Sequence, residues 1–205
     1  MNINKEDNDW YPLLLAIDDN NIEIVRLLID YANKNDIILK LNEKTSSGWY
    51  PLLLAISKIE YFLNIKMVEL LMDYANKKNI ILEINEKNEY GDFPLSLAVS
   101  NNNIVIVILL LDYANEKNII LEINEKNEYE DFPLSLAVSN NNIAIVKLLI
   151  DYANEKNIII ELNEKNKFGD NLLFWSVINN DIEIIKLIID YTNKNNIILK
   201  MNEKK

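Results

Sequence analysis

One tripeptide, Asn-Glu-Lys, begins at Asn42, Asn85, Asn124, Asn163 and Asn202, at separations of 43, 39, 39 and 39 residues. A second element, Tyr-Ala-Asn or Tyr-Thr-Asn, begins at Tyr31, Tyr74, Tyr113, Tyr152 and Tyr191 with the same separations. Pro12, Pro51, Pro94 and Pro133 differ by 39, 43 and 39, and Leu172 takes the fifth place. The unit is therefore 39 residues long, with four extra residues between Ala55 and Tyr74. Five copies in register restrict the chain to a repeat architecture, in which each unit stacks on its neighbours to bury a face it cannot bury alone.

Each copy reads as two helices and a projecting finger. Pro94-Leu-Ser-Leu-Ala-Val99 is a short helix, with proline in the first turn where its missing N–H is no loss. Asn101, Asn102 and Asn103 break it, because asparagine favours turns and tolerates left-handed backbone. A second helix starts at about Ile104, and Ile104, Val107, Leu110, Leu111 and Ala114 recur on one helical face. Ile119 to Asn124, rich in β-branched residues, reads as extended, and Glu125 to Asp131 as a polar turn. The surplus in the second copy is expected within Ser57 to Asn64, where Ile59, Tyr61, Phe62 and Leu63 are too apolar for a plain loop and should fold back or lengthen a helix.

Composition narrows the chemistry. The chain of 205 residues has no cysteine and no histidine, which excludes disulfides, thiolate or imidazole metal sites, and Ser-His or Cys-His nucleophile pairs. The absence of cysteine fits a reducing compartment, and a cytoplasmic location is expected. A net charge of −11 without a basic cluster disfavours nucleic acid and anionic membrane surfaces. The longest apolar runs, such as Ile104 to Leu111, are too short to span a bilayer. Carboxylates such as Glu83, Glu86, Glu122, Glu125, Asp112 and Asp151 recur at fixed repeat phases, as a solvated surface does and a unique catalytic pair does not. Asp18-Asp-Asn-Asn21 lacks the alternating ligands and bidentate Glu of a calcium loop and reads as an inter-helix turn. No catalytic residue, cofactor site or metal site is called for, and the chain reads as no enzyme.

The stretch Ile84-Asn-Glu-Lys-Asn-Glu-Tyr-Gly-Asp-Phe-Pro-Leu-Ser-Leu-Ala98 resembles the ankyrin repeat. Gly91, Pro94, Leu95 and Ala98 stand where that family has a glycine turn followed by Thr-Pro-Leu-His-x-Ala, and Ile104, Ile106, Val107, Leu110 and Leu111 match its second helix. The resemblance runs from about Ile3 to Lys204 and implies an all-α solenoid of five stacked helix-turn-helix repeats with projecting finger loops. The copies fall at approximately 3–41, 42–84, 85–123, 124–162 and 163–205 of a single array.

Two departures from the family carry expectations. Its Thr is replaced by Tyr11, Tyr50, Phe93, Phe132 and Asn171, and its His by Leu14, Leu53, Ser96, Ser135 and Phe174. The family's Thr–His hydrogen bonding is thus absent, and the aromatics should pack against the next copy. The family also ends its second helix on a glycine, where this chain has Ala32, Ala75, Ala114, Ala153 and Thr192. Alanine prolongs a helix that glycine would end, so the helix should run about one and a half turns further, to a left-handed cap at Asn79, Asn118, Asn157 and Asn196, with Asp36 in the first copy.

The resemblance implies a protein partner on the finger tips and the concave face of the first helices. The matching positions are Lys44, Ser46, Ser47, Trp49, Ser57 and Lys58 in the second copy. They are Lys87, Glu89, Tyr90, Asp92, Ser100 and Asn101 in the third, and Lys126, Glu128, Tyr129, Asp131, Ser139 and Asn140 in the fourth. Trp10, Trp49, Tyr90, Tyr129 and Phe168 fall at or near the tips, where aromatics suit binding hot spots and equally suit packing of finger on finger. The near-identity of the third and fourth copies fits a structural spacer, whereas the divergent tips of the others fit recognition. The apolar last copy, followed by a fresh Asn202-Glu-Lys, is the pattern of a segment of a longer array. Val105 and Ile108 stand where other copies carry Glu23 and Arg26, Lys66 and Glu69, Ala144 and Lys147, or Glu183 and Lys186. They should form an exposed apolar patch, with Ala144 nearby, suited to weak self-association.

Overall fold

The structure is a computed structural model that describes residues 10–58 and 61–200. Ten helices make up the regular structure of the described residues, and no strand is present among them beyond an isolated antiparallel bridge between Lys165 and Asn171. The short first helices of the five copies are α1 (Pro12–Asp18), α3 (Pro51–Ser57), α5 (Pro94–Ser100), α7 (Pro133–Ser139) and α9 (Leu172–Ile178). The second helices are α2 (Ile22–Lys34), α4 (Tyr61–Lys78), α6 (Ile104–Lys117), α8 (Ile143–Lys156) and α10 (Ile182–Asn195).

The chain forms two compact units, residues 1–101 and 102–205. In the first, α1 packs on α3 and α3 on α5, while α2 packs on α4. In the second, α7 packs on α9, and α8 lies between α6 and α10. The same local rules build every pair. A proline at the first position opens four of the short helices, preceded by an extended residue. An asparagine or aspartate then caps the second helix: Asn21, Asn103, Asn142 and Asp181 each accept a main-chain N–H of the first turn. Between the helices, Asn20, Asn102, Asn141 and Asn180 hold φ between 51° and 55°, the left-handed backbone that asparagine tolerates best after glycine.

The second helices continue past the alanine as expected, but less far. In α6 and α8 three residues follow Ala114 and Ala153, and Asn118 and Asn157 then adopt φ of 56° and 55°. The overrun is thus just under one turn, not one and a half. Asn79 and Asn196 take the same conformation, and so does Asp36 at φ 52°. The following segment, Ile119 to Asn124, forms no strand; Ile119 donates back to Ala114 O at 2.8 Å and Ile123 to Leu121 O at 2.9 Å. Its tight local bonds leave the apolar side chains alternating between core and solvent, with Leu121 and Ile123 buried and Ile120 exposed.

The four-residue surplus lengthens a helix. The α4 helix has 18 residues where α6, α8 and α10 have 14, and the addition lies at its start, with Phe62 exposed and Lys66 Nζ 4.2 Å from its ring. Ile59 and Glu60, which belong to the same segment, lie outside the described residues. Lengthening at this end places Asn64, the register equivalent of the cap Asn103, inside the helix. It is buried there, its Nδ2 donating to Lys58 O and its Oδ1 without a partner among the described residues.

Candidate interaction surface

The fingers are turns closed by a single side chain. Asn88 Oδ1 accepts the N–H groups of Tyr90 (3.0 Å) and Asp92 (2.9 Å). Asn127 does the same for Tyr129 and Asp131, and Asn166 for Phe168 and Asp170. Thr45 closes the second copy's finger by accepting Trp49 N–H at 3.0 Å. The turn needs a left-handed residue, supplied by Gly48, Gly91 and Gly169; in the fourth copy Glu130 holds φ 63° instead.

Adjacent fingers inside each unit are bonded tip to tip. Glu89 N–H donates to Ser47 O at 3.1 Å, and Lys167 N–H to Tyr129 O at 2.9 Å. The approach is close enough that a Cβ on Gly48 would stand 2.7 Å from Asn88 Cα. Trp49 and Tyr90 lie tilted with ring centroids 6.5 Å apart, and Tyr129 and Phe168 are stacked at 6.4 Å. The rings pack finger on finger, yet Tyr90, Tyr129 and Phe168 each keep between 46% and 69% of their surface exposed, enough to face a partner. Trp49 and Trp10 are half-buried.

The Asn-Glu-Lys tripeptide is the other tie between copies. Asn42 Nδ2 donates to Ile81 O (2.7 Å) while its Oδ1 accepts Glu83 N–H (3.2 Å). Asn124 brackets Ile159 and Glu161 in the same way, and Asn163 brackets Ile198 and Lys200. The lysine reaches the glutamate of the next tripeptide: Lys44 to Glu86 at 2.6 Å, Lys126 to Glu164 at 2.7 Å. The bond to Glu164 holds the Lys126 ammonium above the usual lysine range, burial opposing it and Glu164, Glu161 and Glu130 adding to it.

Several of the polar residues expected at a binding surface are thus engaged within the chain. Lys58 pairs with Asp18. Asn101 Nδ2 donates to Ile56 O at 2.9 Å, and Asn179 to Val138 O at 2.7 Å, each capping the first helix of the preceding copy. Asp131 accepts Asn166 Nδ2 at 3.1 Å; burial pushes its carboxyl above the usual range, partly offset by the bonds from Asn166 and Ser135. Ser57 and Ser139 hydroxyls donate within their own helices. Lys87 Nζ lies 5.9 Å from the Phe93 ring centroid, and Asp92 N–H is held by Asn88. The side chains of Glu89, Glu128, Ser46, Ser100 and Asn140 are exposed, and Ser47 is half-buried.

A family model described as ankyrin repeats (3 copies) matches residues 1–81 and again 64–160, most of the chain. The chain belongs to the ankyrin-repeat family. The comparison with curated proteins gave no match. Ankyrin repeats are generally protein-interaction modules, typically without catalytic activity, and among the described residues no helix is long and apolar enough to cross a membrane.

Membership makes the two departures informative. At the ankyrin threonine position, Tyr11, Tyr50, Phe93 and Phe132 are all buried. Tyr11 donates to Glu43 O at 3.2 Å and Tyr50 to Glu86 O at 3.0 Å, so each spans to the following finger. Burial, with Glu86 and Glu83 nearby, pushes the Tyr50 hydroxyl pKa far up. At the ankyrin histidine position, Ser96 Oγ accepts Phe93 N–H at 3.0 Å and donates to Phe93 O at 2.8 Å; Ser135 repeats this with Phe132. Serine closes the helix start on the main chain, where the family uses a side-chain pair. Sequence reasoning missed the conserved-phase tyrosine of the Tyr-Ala-Asn element. Tyr74 Oη accepts Leu39 N–H, Tyr152 accepts that of Leu121 and Tyr191 that of Ile160, at 2.9–3.1 Å. Its fixed place in every copy was the available signal.

Proposed function

We propose that this ankyrin array binds a protein partner through the aromatic finger tips and the adjacent concave helical face, and is not an enzyme. The five copies act as one array in the cytoplasm. The observation that carries the reading is the exposed ring surface of Tyr90, Tyr129 and Phe168 on fingers already rigid through main-chain bonds. Aromatic area that is ordered before binding costs little entropy when a partner covers it. Glu89, Asp92, Glu128 and Asp131 stand within two residues of Tyr90 or Tyr129 in the sequence, so the favoured partner offers an apolar patch within a basic rim. Capture experiments with the intact chain and with a variant carrying Trp49→Ser, Tyr90→Ser, Tyr129→Ser and Phe168→Ser test it. A partner held by the first and lost by the second, at unchanged melting temperature, supports tip recognition; equal retention by both rejects it.

A second reading, a structural spacer or scaffold segment, is favoured by the commitment of Lys44, Lys58, Asn101 and Lys126 to bonds within the chain. The Val105–Ile108 patch is a further candidate contact, for weak self-association. Val105 and Ile108 are 37% and 39% exposed on α6. Thirty-nine residues on, the place of Ile108 is held by Lys147, which pairs with Glu183 at 2.6 Å. Ile108→Lys restores a charge there, should leave the fold intact, and removes any association made through the patch.

A further inference from the structure

A junction between copies inside a unit has two sides, and the burial pattern separates them. The downstream side carries one apolar residue near the end of the first helix and one on the second. Ile17 and Ile29, Ile56 and Met72, Val138 and Ile150 fill these places, all 8% exposed or less. In the fifth copy the same places hold Val177 and Ile189, 60% and 41% exposed. The upstream side carries a second-helix apolar residue and the clamp tyrosine. Met67 and Tyr74, Ile145 and Tyr152, Ile184 and Tyr191 are 3% exposed or less, whereas Ile24 and Tyr31 of the first copy are 43% and 36% exposed. The two open faces are thus the two halves of one junction.

The polar groups match in the same way. Leu39, Leu121 and Ile160 each give their N–H to the tyrosine of the following copy. The fifth copy's equivalent donor is Leu199 N–H, and the first copy's equivalent acceptor is Tyr31 Oη. Neither has a partner among the described residues. Beside Val177, an open concavity of about 440 Å³ lined by Leu173, Phe174 and Lys200 lies on the same face.

We propose that a second copy of this chain seats its first repeat on the fifth, Ile24 and Tyr31 against Val177 and Ile189, with Tyr31 Oη accepting Leu199 N–H. The contact is heterologous, so it joins chains head to tail. It lacks one internal bond. Asp19 stands where Asn179 donates an amide N–H to Val138 O, and aspartate has no such donor. The intermolecular junction is therefore weaker than an internal one and depends on concentration.

Sedimentation velocity over a concentration series tests this with the whole chain, Val177→Glu and Ile24→Glu. Both sites are exposed, so both variants should keep the helical content and melting temperature of the parent. The parent should gain mass with concentration, and each variant alone should stay a monomer. An equimolar mixture should recover association that stops at two chains, since one variant keeps the fifth-copy face and the other the first-copy face. Tyr31→Phe should weaken parent association several-fold, and Ile108→Lys should not change it. A parent that stays monomeric throughout overturns the proposal. So does Ile24→Glu associating alone, which means like faces meet, or a mixture that stays monomeric beside an associating parent. Loss of association in Ile108→Lys alone assigns the contact to the α6 patch instead.

Discussion

Tyr152 reaches back to Leu121: its hydroxyl accepts the Leu121 main-chain N–H at 2.9 Å, across 31 residues. Both residues are almost wholly buried. The segment after each second helix makes no ladder with a strand, so its amides need acceptors from elsewhere. The tyrosine supplies one, and the asparagine of the tripeptide brackets the neighbouring groups. In the fourth copy both act on one segment: Tyr191 accepts Ile160 N–H, and Asn124 brackets Ile159 and Glu161.

Tyr152→Phe should therefore cost about 1–3 kcal/mol, because it leaves a buried N–H without an acceptor while changing the packing little. Tyr31→Phe, at dilute monomeric concentration, should cost no more than about 0.5 kcal/mol, since that hydroxyl is bonded to nothing among the described residues. Urea melts followed by circular dichroism compare the two. Equal midpoints would mean that the clamp contributes no stability.

The finger of the fourth copy carries a backbone conformation its residue does not favour. Glu130 holds φ 63° where the other fingers have glycine at 75° to 84°. Left-handed backbone costs a residue with a Cβ about 1–2 kcal/mol. Glu130→Gly should recover part of this, about 1 kcal/mol, net of the glycine's greater freedom in the unfolded chain. Gly48→Ala should do the reverse and more, because its new Cβ meets Asn88 Cα. Denaturant midpoints that move the other way would show that the turn is not strained.

The repeat phase made the helices, their proline starts and their asparagine ends legible from the sequence. These are local effects, each written in one or two residues. The ties between copies were less so. Asn42, Lys44 and Tyr74 recur at fixed phase, but phase alone says only that a residue has a repeated task. Whether Lys44 faces solvent or Glu86 depends on where the next finger lies, and that is set by stacking. For this reason the ion pairs that Lys44, Lys58 and Lys126 make in the structure were not legible in the sequence. The aromatic tips show the opposite limit. Finger-on-finger packing is what the structure shows, and a stacked ring still shows its other face and edges.

Asp131 gives a pH signature. Its carboxyl is raised above the usual range chiefly by burial, so the fold disfavours the charged form. The sign follows: the folded pKa lies above the unfolded one, so the contribution to stability is full below the unfolded value, about 3.9, and is lost as pH rises through the folded value. Asp131→Asn keeps an oxygen for Asn166 Nδ2 and removes the charge. It should match or exceed the parent's stability at pH 7, with the difference shrinking as pH falls toward 3.5. Melting temperatures of both proteins across that range check it; a variant less stable at pH 7 than at pH 3.5, relative to parent, would show the charge to be favourable.

Asn103 and Asn64 hold the same register and opposite roles. Asn103 caps α6, its Oδ1 accepting Ile106 N–H at 3.2 Å, so Asn103→Ala should cost about 1 kcal/mol, within the range of about 0.5–2 for a lost cap. Asn64 holds that register too, but α4 already begins at Tyr61, ahead of it. Inside the helix its Oδ1 no longer meets a free amide, and the atom is buried and unpaired among the described residues. Asn64→Ala forfeits the Nδ2 bond to Lys58 O, worth about 1 kcal/mol. It also removes a buried unsatisfied acceptor and replaces a poor helix former with the best one, a gain of similar size. The substitution should be neutral or stabilising, despite a site 3% exposed. Thermal and urea unfolding of the two alanine variants decide the matter. A loss at Asn64 as large as that at Asn103 would mean that the buried oxygen has a partner, such as an ordered water, and that the insertion did not strand it.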